Sequence, residues 1–258
     1  MDRLDSLLVK KGLVVSRTRG EYEIKNGNVL VDGKVVTKPS TKFNEDVKIE
    51  INNKLDYVSK GALKLLKAID TFNIDLSNKV MLDIGSSTGG FSDVALRNNI
   101  KKVIAVDVGT NQFDKELQKD SRIELHENTD IRSLIIKDEI DTATIDISFI
   151  SVTKIIDKLK DINPKEIVLL IKPQFECGKE ISDKYKGIPL NKEVHKKVIE
   201  NIINSFESIG YYILGLTYSP IKGGSGNIEY LGYFTKTDKN NIDIEKNVNI
   251  AFDNLLQK

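Results

Sequence analysis

The chain has 258 residues, of which 40% are hydrophobic and 30% are charged, so it can bury a core and is not an intrinsically disordered polymer. Its single cysteine, Cys177, excludes an intrachain disulfide and a cysteine-based zinc site, and two histidines argue against a histidine metal cluster. No apolar run approaches the roughly 18 residues of a membrane-spanning helix, and the first residues lack a signal peptide's apolar centre. We therefore expect a cytoplasmic protein with no metal and no membrane partner.

The net charge of +1 hides an uneven distribution along the chain. Residues 1–69 carry 14 basic and 9 acidic side chains, whereas the remaining residues carry 25 and 29. A basic N-terminal quarter favours a polyanion-binding module attached to a nearly neutral body, although a solvated basic surface without a partner is the alternative. The length fits one small and one large domain.

The first 50 residues have the pattern of a small α+β domain. A helical spacing of leucines runs from Arg3 to Gly12, Ser16 can cap a second helix that ends at Gly27, and Asp32-Gly33 predicts a hairpin between two alternating strands. This order resembles the small RNA-binding domain first seen in ribosomal small-subunit protein S-four. In that family basic residues of the two helices contact RNA phosphates, which by resemblance implies Lys10, Lys11, Arg17, Arg19 and Lys25.

Residues 51–58 have the position of a linker, and an amphipathic helix follows Ser59. We expect Leu63, Leu66 and Ile69 to form its apolar face. Lys60 lies in the first turn of this helix, where the helix dipole opposes a positive charge. A lysine there needs a specific partner if it is buried.

The stretch from Lys79 to Phe91 predicts a buried strand that stops at Asp83 and leads through a glycine-rich turn into a helix. The spacing differs from the glycine patterns that bind dinucleotides or nucleoside triphosphates. An acid at the end of the strand repels phosphate and suits a cationic or amine-bearing ligand, and S-adenosylmethionine has both an amine and a sulfonium. Ligands of such sheets lie beyond the carboxyl ends of the strands, so we expect the cofactor at this turn.

Two further strands end in acids that fit the same ligand. Asp107 ends the next strand and is placed to take both ribose hydroxyls of a cofactor, and Asp130 follows the third strand, where it could accept from an adenine amine. Each acid alone could also be a helix cap or a turn former. The expected cofactor-binding residues are Asp83, Gly85, Ser86, Gly89, Phe91, Asp107 and Asp130.

Four more strands complete the predicted sheet. The fourth ends at Asp146, the fifth carries Lys172 after five apolar residues, and the last begins near Glu229. The segment around residues 177–190 is expected to be a mobile lid, residues 191–209 a helix, and residues 241–258 a C-terminal helix of unclear purpose. Alternation of strands and helices predicts an α/β fold, a doubly wound sheet of seven strands with an antiparallel edge.

Lys60, Asp146, Lys172 and Glu229 together resemble the tetrad of the FtsJ-like ribose 2′-O-methyltransferases. With the RNA-binding domain in front, six ordered motifs resemble the TlyA family: VSKGALKL, LDIGSSTGGFSDV, VIAVDVG, IDISFIS, LLIKPQFE and GNIEYL. The resemblance implies a Rossmann-like class I methyltransferase domain over residues 59–240. It also implies S-adenosylmethionine as cofactor and a ribose 2′-hydroxyl of ribosomal RNA, within ribosomal subunits, as substrate.

The chemistry of a hydroxyl nucleophile fits these residue types. A ribose hydroxyl is not ionised at neutral pH and needs a base, and an ordinary lysine serves only if burial or a neighbouring positive charge favours its neutral form. We assign Lys172 as general base, Asp146 as the group that orients it, and Lys60 with Glu229 as a second pair. Two plain salt bridges are the alternative.

Other functions remain open at this level. Phe149, Phe175 and Tyr230 could stack on a flipped nucleotide or pack in the core. Relatives have been labelled haemolysins, so a membrane-active protein is one alternative, and a non-catalytic RNA-binding ribosome-assembly factor is another. Neither Cys177 nor His195 has a partner that suggests nucleophilic chemistry.

Overall fold

The structure is a computed structural model that describes residues 1–14, 17–25, 27–51 and 57–256, without the side chains of residues 18, 19 and 22. The predicted Ser16 cap, most of the predicted linker and the side chain of Arg19 lie outside the described residues. The chain divides into two compact units, Met1–Asp56 and Tyr57–Lys258.

In its described residues, the N-terminal unit contains two helices and two small sheets. Its elements are β1 (Asp2–Arg3), α1 (Leu4–Lys10), α2 (Arg17–Lys25), β2 (Val29–Val31), β3 (Lys34–Val35), β4 (Lys42–Phe43) and β5 (Ile49–Ile51). Strand β2 pairs antiparallel with β3 and β5, and β1 pairs antiparallel with β4. Leu4, Leu8 and Ile24 from the helices pack on Val29 and Val31 of the sheet.

The hairpin predicted at Asp32-Gly33 is confirmed. Val31 pairs with Lys34 across a two-residue turn in which Asp32 and Gly33 have φ angles of 48° and 77°. Positive φ at both central residues is the geometry that matches the twist of the flanking strands. Gly12 and Gly27, predicted to end the two helices, also have positive φ, at 66° and 72°.

The C-terminal unit alternates strands with helices. Its strands are β6 (Val80–Ile84), β7 (Lys102–Val106), β8 (Ile123–His126), β9 (Thr142–Ile145), β10 (Glu166–Ile171), β11 (Tyr212–Tyr218) and β12 (Tyr230–Thr235). Its helices are α3 (Gly61–Phe72), α4 (Gly90–Arg97), α5 (Ile156–Ile162), α6 (Pro173–Glu176), α7 (Lys179–Lys184), α8 (Lys192–Glu207) and α9 (Ile244–Leu256), with 3₁₀ turns at Leu117–Lys119 and Val152–Ile155. No helix in the described ranges has the length and apolar character needed to cross a bilayer.

The seven strands of this unit form one sheet in the order β11-β12-β10-β9-β6-β7-β8. Strands β6 to β10 pair in parallel, whereas β12 is antiparallel to both of its neighbours. Helices α3 and α4 contribute to the apolar cluster on one face, and α5, α8 and α9 to the cluster on the other. The predicted seven-stranded, doubly wound fold is therefore confirmed, with the antiparallel strand inserted between β10 and β11.

The predicted mobile segment before α8 contains a helix, α7, and is tied to the rest of the unit. Asn227 Nδ2 donates to the carbonyl of Gly187 at 3.1 Å. His195 is buried on α8, and burial lowers its pKa to about 4, so the ring is neutral. Because the Pro189 carbonyl only accepts, His195 Nε2–H donates to it at 2.7 Å, which leaves Nδ1 to accept from the Tyr230 hydroxyl at 2.8 Å.

Candidate active site

A cavity of about 490 Å³ opens beyond the carboxyl ends of β6, β7 and β9. Its lining includes Gly85 after β6, Asp107 after β7, Asp130 after β8 and Asp146 after β9. Parallel strands bring these positions together because their carboxyl ends share one edge of the sheet. The cavity is therefore where the order of the strands predicts a ligand.

The turn after β6 requires glycine at its first position. Gly85 has a φ of 83°, and a Cβ atom there would lie 2.7 Å from the backbone oxygen of Asp146. The next residue, Ser86, is buried, and its Oγ has no hydrogen-bond partner among the residues described. Gly89 is closely covered by Phe113 and Leu117 and does not line the cavity.

Asp107 is held rigidly at the edge of the cavity. Its Oδ2 accepts from the backbone amide of Ser87 at 2.7 Å, and its Oδ1 accepts from the amide of Gly109 at 2.6 Å. Each carboxylate oxygen retains a further lone pair for a ligand. This arrangement suits a pair of neighbouring hydroxyl groups.

Asp83 and Phe91, two of the expected cofactor-binding residues, lie inside the protein rather than at the cavity. Asp83 is fully buried and accepts from Ser92 Oγ at 2.7 Å and Thr144 Oγ1 at 3.0 Å. Burial raises the pKa of Asp83 to about 6, against the opposing effect of these two hydroxyls. Phe91 packs in the apolar cluster under α3 and α4.

Asp130 lines the cavity but already has a cationic partner. Its carboxylate accepts from Arg132 Nη2 at 2.5 Å and from Arg132 Nε at 3.0 Å, and this pairing lowers the pKa of Asp130. A carboxylate has about four lone-pair sites, so it can still accept a further hydrogen bond.

Two lysines and two carboxylates converge beside the cavity. Lys172 Nζ lies 2.5 Å from Asp146 Oδ1, 3.4 Å from the Asp146 carbonyl oxygen and 2.9 Å from Ser148 Oγ. Lys64 Nζ lies 3.5 Å from Asp146 Oδ2 and 3.0 Å from Glu229 Oε2. Because Asp146 contacts both lysines and lines the cavity, the lysine–carboxylate cluster and the cavity meet at this residue.

The lysine that α3 contributes to this cluster is Lys64, one helical turn beyond the expected Lys60. The larger side chains of α3 predict a buried face of Leu63, Leu66 and Ile69, whereas Ala62, Leu65 and Ala68 are the apolar residues buried against the sheet. Small residues allow close approach of the helix, and Lys64 lies beside that face, 9% exposed. Ala62, Leu65 and Ala68 have the same i, i+3, i+6 spacing as Leu63, Leu66 and Ile69, so the spacing alone does not choose between the two faces.

Lys64 is held as a cation. Burial lowers its pKa, but the carboxylates of Asp146 and Glu229 outweigh burial and raise the pKa above its ordinary value. Lys60 is half-buried at the N-terminal end of α3, so the two lysines occupy different environments.

The two units match two families of known proteins. A model of the FtsJ-like methyltransferase family matches residues 57–236, and a model of the S4 domain matches residues 2–49. The chain belongs to the FtsJ-like methyltransferase family. Its C-terminal unit has the fold of a methyltransferase, as the sequence predicted.

Individual relatives of this methyltransferase align over most of its length. Hemolysin A of Brachyspira hyodysenteriae is 40% identical, covering 90% of this chain and 99% of that protein. The 23S rRNA (cytidine-2′-O)-methyltransferase TlyA of Campylobacter jejuni is 36% identical, covering 88% and 97%. The solved structure named "Putative hemolysin from Streptococcus thermophilus" has a TM-score of 0.77 and 37% identity, covering 99% and 97%.

The three aromatic residues considered for nucleotide stacking have different environments in this methyltransferase. Tyr230 is fully buried and hydrogen-bonded to His195, so its ring has no exposed face on which a base could stack. Phe149 is 88% exposed beside the cavity and has a φ of 68°, a conformation that non-glycine residues rarely adopt. Its ring lies 5.4 Å from that of Phe175. Phe149 is therefore the aromatic residue most open to a ligand.

In the S4 domain, the expected RNA-binding side chains that the structure describes, those of Lys10, Lys11, Arg17 and Lys25, are exposed but differ in their partners. Lys10 pairs with Glu45, and Lys25 lies 3.7 Å from Glu21. Arg17 lies 3.3 Å from the buried carboxylate of Asp5.

Arg3, which was not among the expected RNA-binding residues, shares a carboxylate with Arg17. Arg3 Nη2 lies 2.6 Å from Asp5 Oδ2, so Arg3 and Arg17 contact the same carboxylate. Hydrogen bonds from Arg3 are the main cause that lowers the pKa of Asp5 to about 2, so Asp5 fixes two arginines side by side.

The buried position of Asp83 makes a testable prediction about stability. Ionisation is easier in the unfolded chain, where an aspartate has a pKa near 4, than in the folded state, where it is about 6. The contribution of Asp83 to the free energy of unfolding is therefore largest below pH 4 and falls by up to about 3 kcal/mol as the pH rises past 6.

We expect Asp83→Asn to remove this fall, because an amide does not ionise and can bond the same two hydroxyls. Denaturant unfolding of both proteins between pH 4 and pH 7 measures the difference. Identical pH dependence of the two unfolding free energies contradicts the prediction.

Proposed function

We propose that the protein transfers a methyl group from S-adenosylmethionine to a ribose 2′-hydroxyl of ribosomal RNA. The observation that carries this proposal is the position of Asp146. This residue lines the cavity, and its carboxylate lies between Lys172 and Lys64. A methyl donor in the cavity and a base in the lysine–carboxylate cluster would meet at this residue. Buried charged groups beside a cavity are typical of catalytic sites, and the match to a methyltransferase family supports catalysis over plain salt bridges.

The cavity lining fits S-adenosylmethionine. The fixed carboxylate of Asp107 can accept from both ribose hydroxyls, and Gly85 allows the backbone to approach closely. Val108 and Ile131 offer apolar surface to the adenine, and Asp130 offers an acceptor to its amine. The volume is in the range of small-molecule sites. When bound, the cofactor supplies a methyl group on a positively charged sulfur.

Lys172 is the proposed general base. In the transfer the ribose oxygen would bond to the methyl carbon while the bond between that carbon and sulfur breaks and leaves its electron pair on sulfur. Lys172 Nζ would accept the hydroxyl proton, which requires the neutral amine. Its three acceptors in the structure are the Asp146 carboxylate, the Asp146 carbonyl and Ser148 Oγ. Of the residues that supply these acceptors, Ser148 is the exposed one. The ribose hydroxyl can therefore replace the Ser148 hydroxyl as a contact of Lys172 Nζ.

Lys64 and Glu229 form the second pair. Glu229 is 2% exposed and keeps Lys64 in place, and the Lys64 cation in turn attracts the carboxylate of Asp146. Asp146 is therefore held from both sides. Its negative charge lies where a sulfonium in the cavity would be favoured, and alignment of oxygen, methyl and sulfur supplies most of the rate.

The choice of ribosomal RNA as substrate rests on the relatives and on the S4 domain. The Campylobacter jejuni relative is named as a cytidine-2′-O-methyltransferase of 23S rRNA. Arg3 and Arg17, fixed by Asp5, offer guanidinium groups to phosphates, and Lys11 is exposed nearby in sequence. Contacts of this kind hold RNA without reading its sequence. The exposed ring of Phe149 can stack on an unpaired base at the cavity.

The central test replaces the proposed base. Lys172→Ala is expected to lower kcat by about 100-fold or more, because a positioned general base typically contributes that much, while binding of ribosomal subunits is retained. The measurement uses methyl-labelled S-adenosylmethionine and separated ribosomal subunits from a strain that lacks the gene, followed by mapping of the modified ribose. Exposed Lys154→Ala is the matched control.

The alternatives give different results in this assay. Wild-type protein that binds subunits but transfers no label would support a non-catalytic assembly factor. Label on a base rather than a ribose would refute 2′-O-methylation. Full activity of Lys172→Ala would leave methyl transfer standing and remove Lys172 as base.

A second test decides which lysine of α3 takes part. Lys64→Met removes the cation between the buried carboxylate of Glu229 and the half-buried carboxylate of Asp146, so we expect at least about tenfold lower kcat and a loss of roughly 3 kcal/mol in the free energy of unfolding. Lys60→Met is the matched control, one turn away on the same helix, and should retain kcat within about threefold. If Lys60→Met lowered kcat more than Lys64→Met, Lys60 rather than Lys64 would be the lysine of α3 that takes part in the reaction.

A third test addresses the N-terminal unit. Lys11→Ala is expected to weaken binding of the RNA substrate and to reduce the slope of log affinity against log salt by about 1, because one phosphate contact is lost. The value of kcat at saturating substrate should not change. Lys246→Ala, an exposed lysine on α9, is the control. Equal affinity and equal slope for Lys11→Ala and wild type would exclude Lys11 from the RNA contact.

A further inference from the structure

A buried glutamine, Gln174, extends the lysine–carboxylate cluster. It lies on α6, the single helical turn that directly follows Lys172, and the backbone amides of Phe175 and Glu176 bond the Lys172 carbonyl. Gln174 is 9% exposed, and its Nε2 donates to Glu229 Oε1 at 2.9 Å. The position of Gln174 is thereby fixed relative to Lys172.

Gln174 completes a closed ring of contacts. Lys172 contacts Asp146, Asp146 contacts Lys64, Lys64 contacts Glu229, and Glu229 accepts from Gln174, which is joined to Lys172 by two peptide bonds. Each oxygen of the Glu229 carboxylate thus has its own donor. In a closed ring, displacement of one member moves the others.

The surroundings of Glu229 leave little room for another arrangement. A Cβ atom at Gly223 would lie 2.4 Å from Glu229 Oε1, so the glycine makes space for the carboxylate. Because a carboxylate only accepts, the amide of Gln174 must present Nε2 to it. The other amide atom, Gln174 Oε1, is then left buried without a partner among the described residues. An unpaired buried oxygen costs free energy, and such costs are concentrated at functional sites.

We propose that Gln174 is a positioning residue for the methyl transfer proposed above: it holds Glu229, and through Lys64 and Asp146 it keeps Lys172 aligned with the ribose hydroxyl. An uncharged donor is the group that can do this without disturbing the charges. A cation at position 174 would compete with Lys64 for Glu229, and an anion would repel Glu229.

The first test is Gln174→Met, which keeps the volume and removes the donor. We expect kcat to fall about tenfold to 100-fold through misalignment of the base, with the KM for ribosomal subunits and the calorimetric Kd for S-adenosylmethionine within about twofold of wild type. Tyr211→Phe is the control. It removes another buried hydrogen bond, from the Tyr211 hydroxyl to the Pro164 carbonyl at 2.6 Å, which lies at the opposite end of β10. That variant should keep kcat.

A second variant separates hydrogen bonding from packing. Gln174→Glu has the shape of the wild type but can donate to Glu229 only while one proton is shared between the two carboxyl groups. Its kcat should therefore fall relative to wild type as the pH rises, whereas a residue that only fills space would give a parallel pH profile.

Three results would overturn the proposal: wild-type kcat in folded Gln174→Met, a loss confined to KM, or parallel pH profiles of Gln174→Glu and wild type. Each is distinct from failure of the proposed function, in which the wild type itself does not methylate the RNA.

Discussion

The carboxylate of Asp146 is the group on which the rest of the site depends. It lies 2.5 Å from Lys172 and 3.5 Å from Lys64, and its backbone oxygen lies against Gly85 so closely that no side chain fits between them. The turn that borders the cavity and the lysine–carboxylate cluster are thus joined at one residue. A change in the backbone at the end of β9 would move both together.

The topology of the sheet explains why distant residues meet there. Parallel strands place Asp107, Asp146 and Lys172 at one edge, since all three follow carboxyl ends. Strand β12 runs in the opposite direction, so its beginning lies at that same edge. Ile171 pairs with Tyr230, which brings the preceding Glu229 next to Lys172 along the two strands. An inserted antiparallel strand therefore supplies an acid that a further parallel strand would have placed at the far edge.

The sequence predicted those features that depend on local pattern. Acids at the ends of apolar strands, the Asp32-Gly33 hairpin and the seven-stranded sheet follow from periodicity and turn chemistry, and the structure has them. The choice between Lys60 and Lys64 depends on which face of α3 is buried, and Ala62 and Ala68 decide this by packing closely rather than by hydrophobicity. The roles of Asp83 and Gln174 depend on contacts with residues far along the chain, which no local spacing reveals.

The balance of charge explains why this cluster can be buried. With both lysines protonated, as before any proton transfer, the charges of two lysines and two carboxylates sum to zero, and Gln174 adds a donor without adding charge. Each ion then has an opposite partner in place of water. Asp83 has no cation beside it among the residues described, and burial raises its pKa. Removal of any one member of the cluster leaves another buried and uncompensated, so the effects of single substitutions include that penalty and do not add. The four charged residues are therefore coupled electrostatically, and paired substitutions that preserve neutrality separate the contribution of charge from that of position.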